Sequence, residues 1–102
     1  MLDLEPIKAR LAHASQGPWA IRLSGNPNHS VKIISEGRPG LLAEVHHYSD
    51  PQHGPTEIER DANAKLLAAA RQDIPALVAE VERLRISLRA RESEQSFHAA
   101  CR

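Results

Sequence analysis

The sequence has few of the features on which disulfide-rich domains and membrane proteins depend. It holds one cysteine, Cys101, which cannot form a disulfide within the chain, so nothing calls for an oxidising compartment. No stretch approaches the roughly 18 consecutive apolar residues of a membrane span, and residues 1–17 contain no apolar core of signal-peptide length. We therefore expect a cytoplasmic protein with no membrane partner.

A net charge of one sign is also absent. The chain carries 13 basic and 13 acidic residues, so its formal charge at pH 7 is zero and it has no bulk attraction to nucleic acid. The arginine-rich segment 83–91 lies among glutamates, a pattern typical of a solvated helix face. We expect no nucleic-acid partner.

Bulky apolar side chains are scarce for a chain of 102 residues. Leu, Ile, Val and Phe total 23, aromatic residues make up 3%, and 15 alanines supply much of the remaining apolar content. A chain of this length forms one domain and buries only roughly 60–65% of its unfolded surface. A core this thin favours self-association as a source of further burial, so we expect a homo-oligomer.

The first half of the chain predicts a short helix followed by three strands. Helical spacing of apolar residues begins at Leu4, with Asp3 as the N-cap, and Gln16-Gly17-Pro18 ends the helix. Period-two alternation then predicts strands at 19–23, 29–35 and 41–48, separated by turns at 25–28 and 36–40. These strands form an antiparallel meander.

The second half is predicted to be helical. Thr56 caps its start, with Glu57 and Glu59 in the first turn. Pro75 predicts a break in the helix, with Asp73 as the cap of a new helix that contains the proline in its first turn. A kinked continuous helix is the alternative. The fold class is therefore α+β, with residues 1–92 forming a single domain and residues 93–102 a polar C-terminal tail.

From Ile74 onward, apolar residues recur with gaps of three and four positions, which is the spacing of a coiled-coil seam. Two heptads are too few for a free coiled coil, so this face packs on the sheet or on its copy in another subunit. We expect it to form the oligomer interface through Ile74, Leu77, Val81, Leu84 and Leu88.

Patterns of catalytic or metal-binding residues are missing. His46 and His47 are adjacent on a predicted strand and point to opposite faces, so they cannot both bind one ion without a bulge. The serines fit no nucleophile-elbow pattern, and the glycines build no phosphate loop. We expect no enzymatic activity, no metal and no cofactor.

Several residues are candidates for binding an anionic ligand, and each has a structural alternative. Arginines hold phosphates through paired hydrogen bonds, and aromatic rings stack on bases. The alternatives are burial of the tryptophan between sheet and helices, a structural hydrogen bond from the asparagine, and a helix-dipole role for the second arginine. The candidates are Trp19, Arg22, Tyr48, Asn63 and Arg71.

Three segments, in order, carry a family resemblance: LEPIKARL at 4–11, Gly17-Pro18-Trp19, and NAKLLAAARQDIPALVAEVERL at 63–84. Together they resemble small accessory proteins of bacteriophages and prophages, including the Ead/Ea22-like group. The chain departs from that group in Ala14-Ser15-Gln16 and in leucines at positions 66 and 67. The resemblance covers about half the chain and leaves residues 24–56 unmatched.

The resemblance implies a phage-encoded anti-defence protein acting in the cytoplasm of a bacterial host. Our leading hypothesis is an oligomeric sponge that sequesters a phosphorylated, cyclic nucleotide signal of immunity without chemistry. Arginines would neutralise its phosphates while Trp19 or Tyr48 stacks on a base. The alternatives are a protein–protein inhibitor of a host defence protein, as anti-CRISPR proteins are, and a structural module that only assembles.

Overall fold

The computed structural model describes residues 1–23 and 30–100, and the side chains among them up to residue 95. A helix, three strands and a second helix follow one another, so the predicted α+β arrangement is confirmed. The predicted turn at 25–28 and Cys101 lie outside the described residues. The elements are α1 (Glu5–His13), β1 (Trp19–Arg22), β2 (Val31–Ser35), β3 (Leu41–Val45) and α2 (Glu57–Ala100).

The strands form one antiparallel sheet in the order β1-β2-β3, the predicted meander. Val45 pairs with Val31, the first residue of β2, so residues 46–48 have no strand partner and β3 is shorter than predicted. Gly37 adopts a φ of 85° in the turn between β2 and β3, a conformation open to glycine without strain.

The predicted C-terminal end of α1 is wrong, and the N-cap lies one residue later than predicted, although Asp3 still bonds the first turn. The N-cap is Leu4, whereas the Asp3 carboxylate accepts a hydrogen bond from the backbone N–H of Glu5 at 3.0 Å. The helix stops at His13 because the next residue is extended, so Gly17 is too far along the chain to be the C-cap. Gly17 instead lies close to the side chain of Arg71 on α2.

Helix α2 runs without a break, so the interruption predicted at Pro75 is wrong. Proline cannot donate to the carbonyl of Arg71, a loss that costs about 3 kcal/mol in a helix interior. Alanine, leucine and arginine are abundant on both sides of Pro75, and their helix propensity offsets this cost. Asp73 therefore caps no helix and lies exposed on α2.

The predicted cap at Thr56 is confirmed. Its hydroxyl accepts a hydrogen bond from the N–H of Glu59, and the Glu59 carboxylate accepts one from the N–H of Thr56, both at 3.2 Å. This reciprocal arrangement is a capping box, which satisfies two backbone donors at the start of α2.

The core lies between the sheet and the first turns of α2. Alanines on the helix let the sheet approach closely, and Trp19 packs at the edge as a half-buried residue. The buried members are Val31, Ile33, Val45 and Ala64, with Trp19, Ile21 and Ala68 packed against them.

Two neighbouring stripes run along α2. The covered stripe faces the sheet and α1, and all its members are buried or half-buried: Ala64, Ala68, Arg71, Pro75, Val78, Glu82 and Arg85. The apolar seam lies beside it with the same alternation of three and four residues and is largely exposed: Leu67, Ala70, Ile74, Leu77, Val81, Leu84 and Leu88.

The 44-residue helix α2 makes the molecule long and thin. Its principal extents are 71 × 34 × 19 Å. The radius of gyration is 20.7 Å, against about 13 Å for a compact domain of 100 residues. In the described part of the chain, neither helix combines the length and the apolar character that crossing a bilayer requires.

Candidate functional site

The turn between α1 and β1 is held by Trp19 and Arg71, two of the predicted ligand-binding residues. The indole Nε1 of Trp19 donates to the Ser15 carbonyl at 3.1 Å, and Nε of Arg71 donates to the same oxygen at 2.9 Å. A Cβ on Gly17 would lie 2.8 Å from Cγ of Arg71, so this approach requires glycine. These contacts tie α2 to the turn, and ligand binding by either residue stays a prediction.

A second cluster forms around Arg60, which the sequence did not mark because arginines are rarely buried. Arg60 is 4% exposed and donates through Nη1 to Nδ1 of His47 at 2.9 Å. Its Nε and Nη2 reach the Asp61 carboxylate at 3.0 and 2.9 Å. Since a guanidinium only donates, His47 accepts through Nδ1. The cluster fastens the loop after β3 to the start of α2.

A cleft of about 460 Å³ lies between the end of β3 and α2. It brings together Tyr48 and Asn63, two of the predicted ligand-binding residues. The Tyr48 N–H donates to the Pro55 carbonyl at 2.7 Å, and a Cβ on Gly54 would overlap the tyrosine ring, so the glycine makes room for it. The cleft is lined by Glu44, Val45, His46, Tyr48, Pro55, Asn63, Leu66 and Leu67.

Arg22 stands apart from both places. It is exposed at the end of β1, where its backbone pairs with Lys32. The five predicted ligand-binding residues thus occupy three regions of one chain: the turn after α1, the cleft and the end of β1. Asn63 makes no side-chain hydrogen bond to another described residue, so the structural bond considered for it is not seen.

Two other histidines, His46 and His53, each form a separate pair with one carboxylate. His46 Nε2 lies 3.6 Å from Glu44 Oε2, and His53 Nδ1 lies 2.8 Å from Asp50 Oδ2, both on the surface. Among the side chains described at 1–23 and 30–95, no three His, Cys, Asp or Glu residues are grouped to hold a metal ion.

The apolar seam of α2 is a further candidate site, a surface for interaction with a partner. All five residues predicted for the oligomer interface lie on it. Because α2 continues through Pro75, the seam extends back to Ala70 and Leu67, which the predicted break had separated from it. Large contiguous apolar surfaces of this kind mark interaction sites.

Comparisons with family models, with curated proteins and with solved structures find no match to this chain. The resemblance to phage accessory proteins therefore stays a prediction. Functional inference depends on the geometry of the chain itself.

Proposed function

We propose that this chain is a homo-oligomeric protein that acts by binding and catalyses no reaction, with the apolar seam of α2 as its assembly surface. The observation that carries the proposal is the exposure of the seam. Leu77, Leu84 and Leu88 are 63%, 52% and 50% exposed, although each lies on a continuous apolar face of a helix. A partner that covers this face removes the cost of its hydration.

The total surface supports the same conclusion. The chain exposes 7891 Å², whereas a compact monomer of its 11.3 kDa mass exposes about 5,700 Å². The excess of about 2,200 Å² is larger than the ~800 Å² that each partner buries in a stable interface of standard size. The exposed area is therefore sufficient for an interface between two copies of the chain.

The assembly surface is tested with two variants on the same turn of α2. Leu84→Glu places a charge on the seam, whereas Ile86→Glu places one at a site that is 66% exposed and lies outside the seam. Sedimentation equilibrium should give the mass of one chain for the first and the wild-type oligomer for the second, with helicity retained by circular dichroism. An unchanged mass for Leu84→Glu overturns the proposal.

A second candidate function is sequestration of a small phosphorylated nucleotide. It is favoured by Tyr48 and Asn63 in a cleft of about 460 Å³, within the roughly 300–1,000 Å³ of small-molecule sites. The described lining includes Glu44 and no arginine or lysine, so phosphates would need cations from another copy. This function consequently depends on assembly and ranks second.

Thermal shift with a panel of cyclic nucleotides tests the second candidate. A ligand at 100 times its Kd stabilises the folded state by about 2.7 kcal/mol, which raises Tm by several degrees. Tyr48→Ala should abolish the shift while leaving the oligomer mass unchanged. The absence of a shift across the panel rejects sequestration and leaves the assembly proposal in place.

A further inference from the structure

The residues of the seam indicate how many helices pack together and in which relative direction. This inference rests on the proposed function, in which the seam is the assembly surface. The seam follows a heptad pattern over seven positions, about 32 Å of helix. β-Branched residues at central a positions with leucine at d favour two parallel strands. The a positions are Leu67, Ile74, Val81 and Leu88, and the d positions are Ala70, Leu77 and Leu84.

The charges beside the seam fit the same direction. In a parallel pair, the g residue of one helix faces the e residue five positions later on the other. Glu80 is at g and Arg85 at e, so each copy places a carboxylate opposite a guanidinium of the second copy. A bidentate hydrogen bond from Arg83 lowers the pKa of Glu80, which keeps this carboxylate ionised.

An antiparallel pair over the same seam is less favourable. Placing Leu77 against Val81 of the second copy brings the two Glu80 side chains together, and like charges at that distance repel. It also sets Leu67 against Arg91, so one apolar layer at each end is lost. The parallel register matches all seven apolar layers with themselves.

The packing within one chain covers the e side of the seam in part and leaves the g side open. The sheet and α1 cover the e side of the seam, where Val78 is buried. Asp73, Glu80 and Ser87 on the g side are exposed. Arg85 uses Nη2 to donate to the Leu2 carbonyl, and its other N–H groups stay available for a carboxylate.

We infer that the seam joins two copies of this chain in parallel and in register, as a two-stranded coiled coil with both sheets at the same level. Leu67 belongs both to the seam and to the lining of the cleft. The second copy therefore reaches the rim of each cleft, and the dimer presents two identical clefts on opposite sides of its axis.

Disulfide trapping in the full chain distinguishes the directions. Cys101 is first replaced by serine, and Ala70→Cys, Leu88→Cys and Ile86→Cys are prepared separately in that background. Ile86 lies outside the seam and serves as the control for random collision. Each variant is weighed under reducing conditions, oxidised mildly, and analysed on a non-reducing gel alone and in mixtures.

In the parallel dimer, Ala70→Cys and Leu88→Cys each cross-link to themselves in most chains, whereas Ile86→Cys does not. The mixed pair gives no 70–88 disulfide because those positions lie about 27 Å apart along the axis. Cross-linking only in the mixture, together with a dimer mass, overturns the parallel direction but not the assembly role. Single-chain mass and cross-linking no faster than in the Ile86→Cys control overturn both.

Discussion

The covered stripe and the apolar seam of α2 are built from opposite kinds of residue. The covered stripe, which packs on the chain's own sheet and α1, holds alanines, a valine, a proline and three charged residues. The seam, which the chain leaves exposed, holds six of the helix's leucine, isoleucine and valine residues. In a self-sufficient monomer the larger aliphatic residues face the chain's own core. In the proposed assembly, a second copy covers these residues and completes the hydrophobic core.

The largest effect is expected on the covered side. Ile33 is 1% exposed, and Ile33→Ala should lower the free energy of unfolding by about 2–5 kcal/mol because it leaves a cavity. Ile58 is 83% exposed on α2 and lies outside both stripes, so Ile58→Ala should change the free energy of unfolding by less than about 0.5 kcal/mol. Urea unfolding measures both, and equal losses would contradict the assignment of the core.

The proline between the two halves of α2 gives the next effect. Pro75→Ala restores the hydrogen bond to the Arg71 carbonyl, and we expect unfolding to become about 2–3 kcal/mol less favourable. Pro39→Ala, in an exposed turn, should instead lower the free energy of unfolding by about 0.4–1 kcal/mol, because it raises the conformational entropy of the unfolded chain. Loss of stability in Pro75→Ala would show that the ring makes contacts worth more than the missing bond.

The same change, alanine to leucine, should have opposite effects on the two stripes. Ala64 is 0% exposed, so Ala64→Leu overpacks the core and should cost about 1–3 kcal/mol. Ala70 lies at a d position of the seam, so Ala70→Leu should stabilise the dimer by about 1–2 kcal/mol per chain. Thermal unfolding at several protein concentrations measures both. Destabilisation by both variants would mean that the seam is not a dimer interface.

The smallest effect is expected at the edge of the seam. The hydrogen bonds from Arg83 lower the pKa of Glu80 from its ordinary value of 4.5, so the ionised form stabilises the folded state. That contribution is present above pH 4.5 and disappears as the pH falls through the lowered pKa. Glu80→Gln should therefore be slightly less stable than wild type at pH 7 and equal to it in acid. Glu94→Gln, without a described ion pair, should show no such difference.

The sequence predicted the elements whose causes are local. Alternation of apolar residues located the strands, and the step of three and four residues placed Ile74, Leu84 and the other apolar residues of the seam on one face of α2. Thr56 was identified because its capping box lies within four consecutive residues. These signals depend on neighbours in the chain, so one sequence is enough to interpret them.

The errors have two causes: helix propensity that outweighs a local rule, and contacts between residues far apart in the sequence. The break at Pro75 followed a sound local rule, but favourable helix formers and the partly covered face on either side outweigh one lost hydrogen bond. Gly17 was predicted to be the C-cap of α1, whereas it lies close to Arg71, 54 positions later. No local pattern in the sequence indicates a contact between residues so far apart. The pairing of His47 with buried Arg60 was missed for the same reason.

Sedimentation equilibrium of the unmodified chain at low micromolar concentration measures whether a second copy covers the seam. If the seam is covered by a second copy, the mass is twice the 11.3 kDa of one chain. A stable, folded species of 11.3 kDa at that concentration would contradict the proposed assembly.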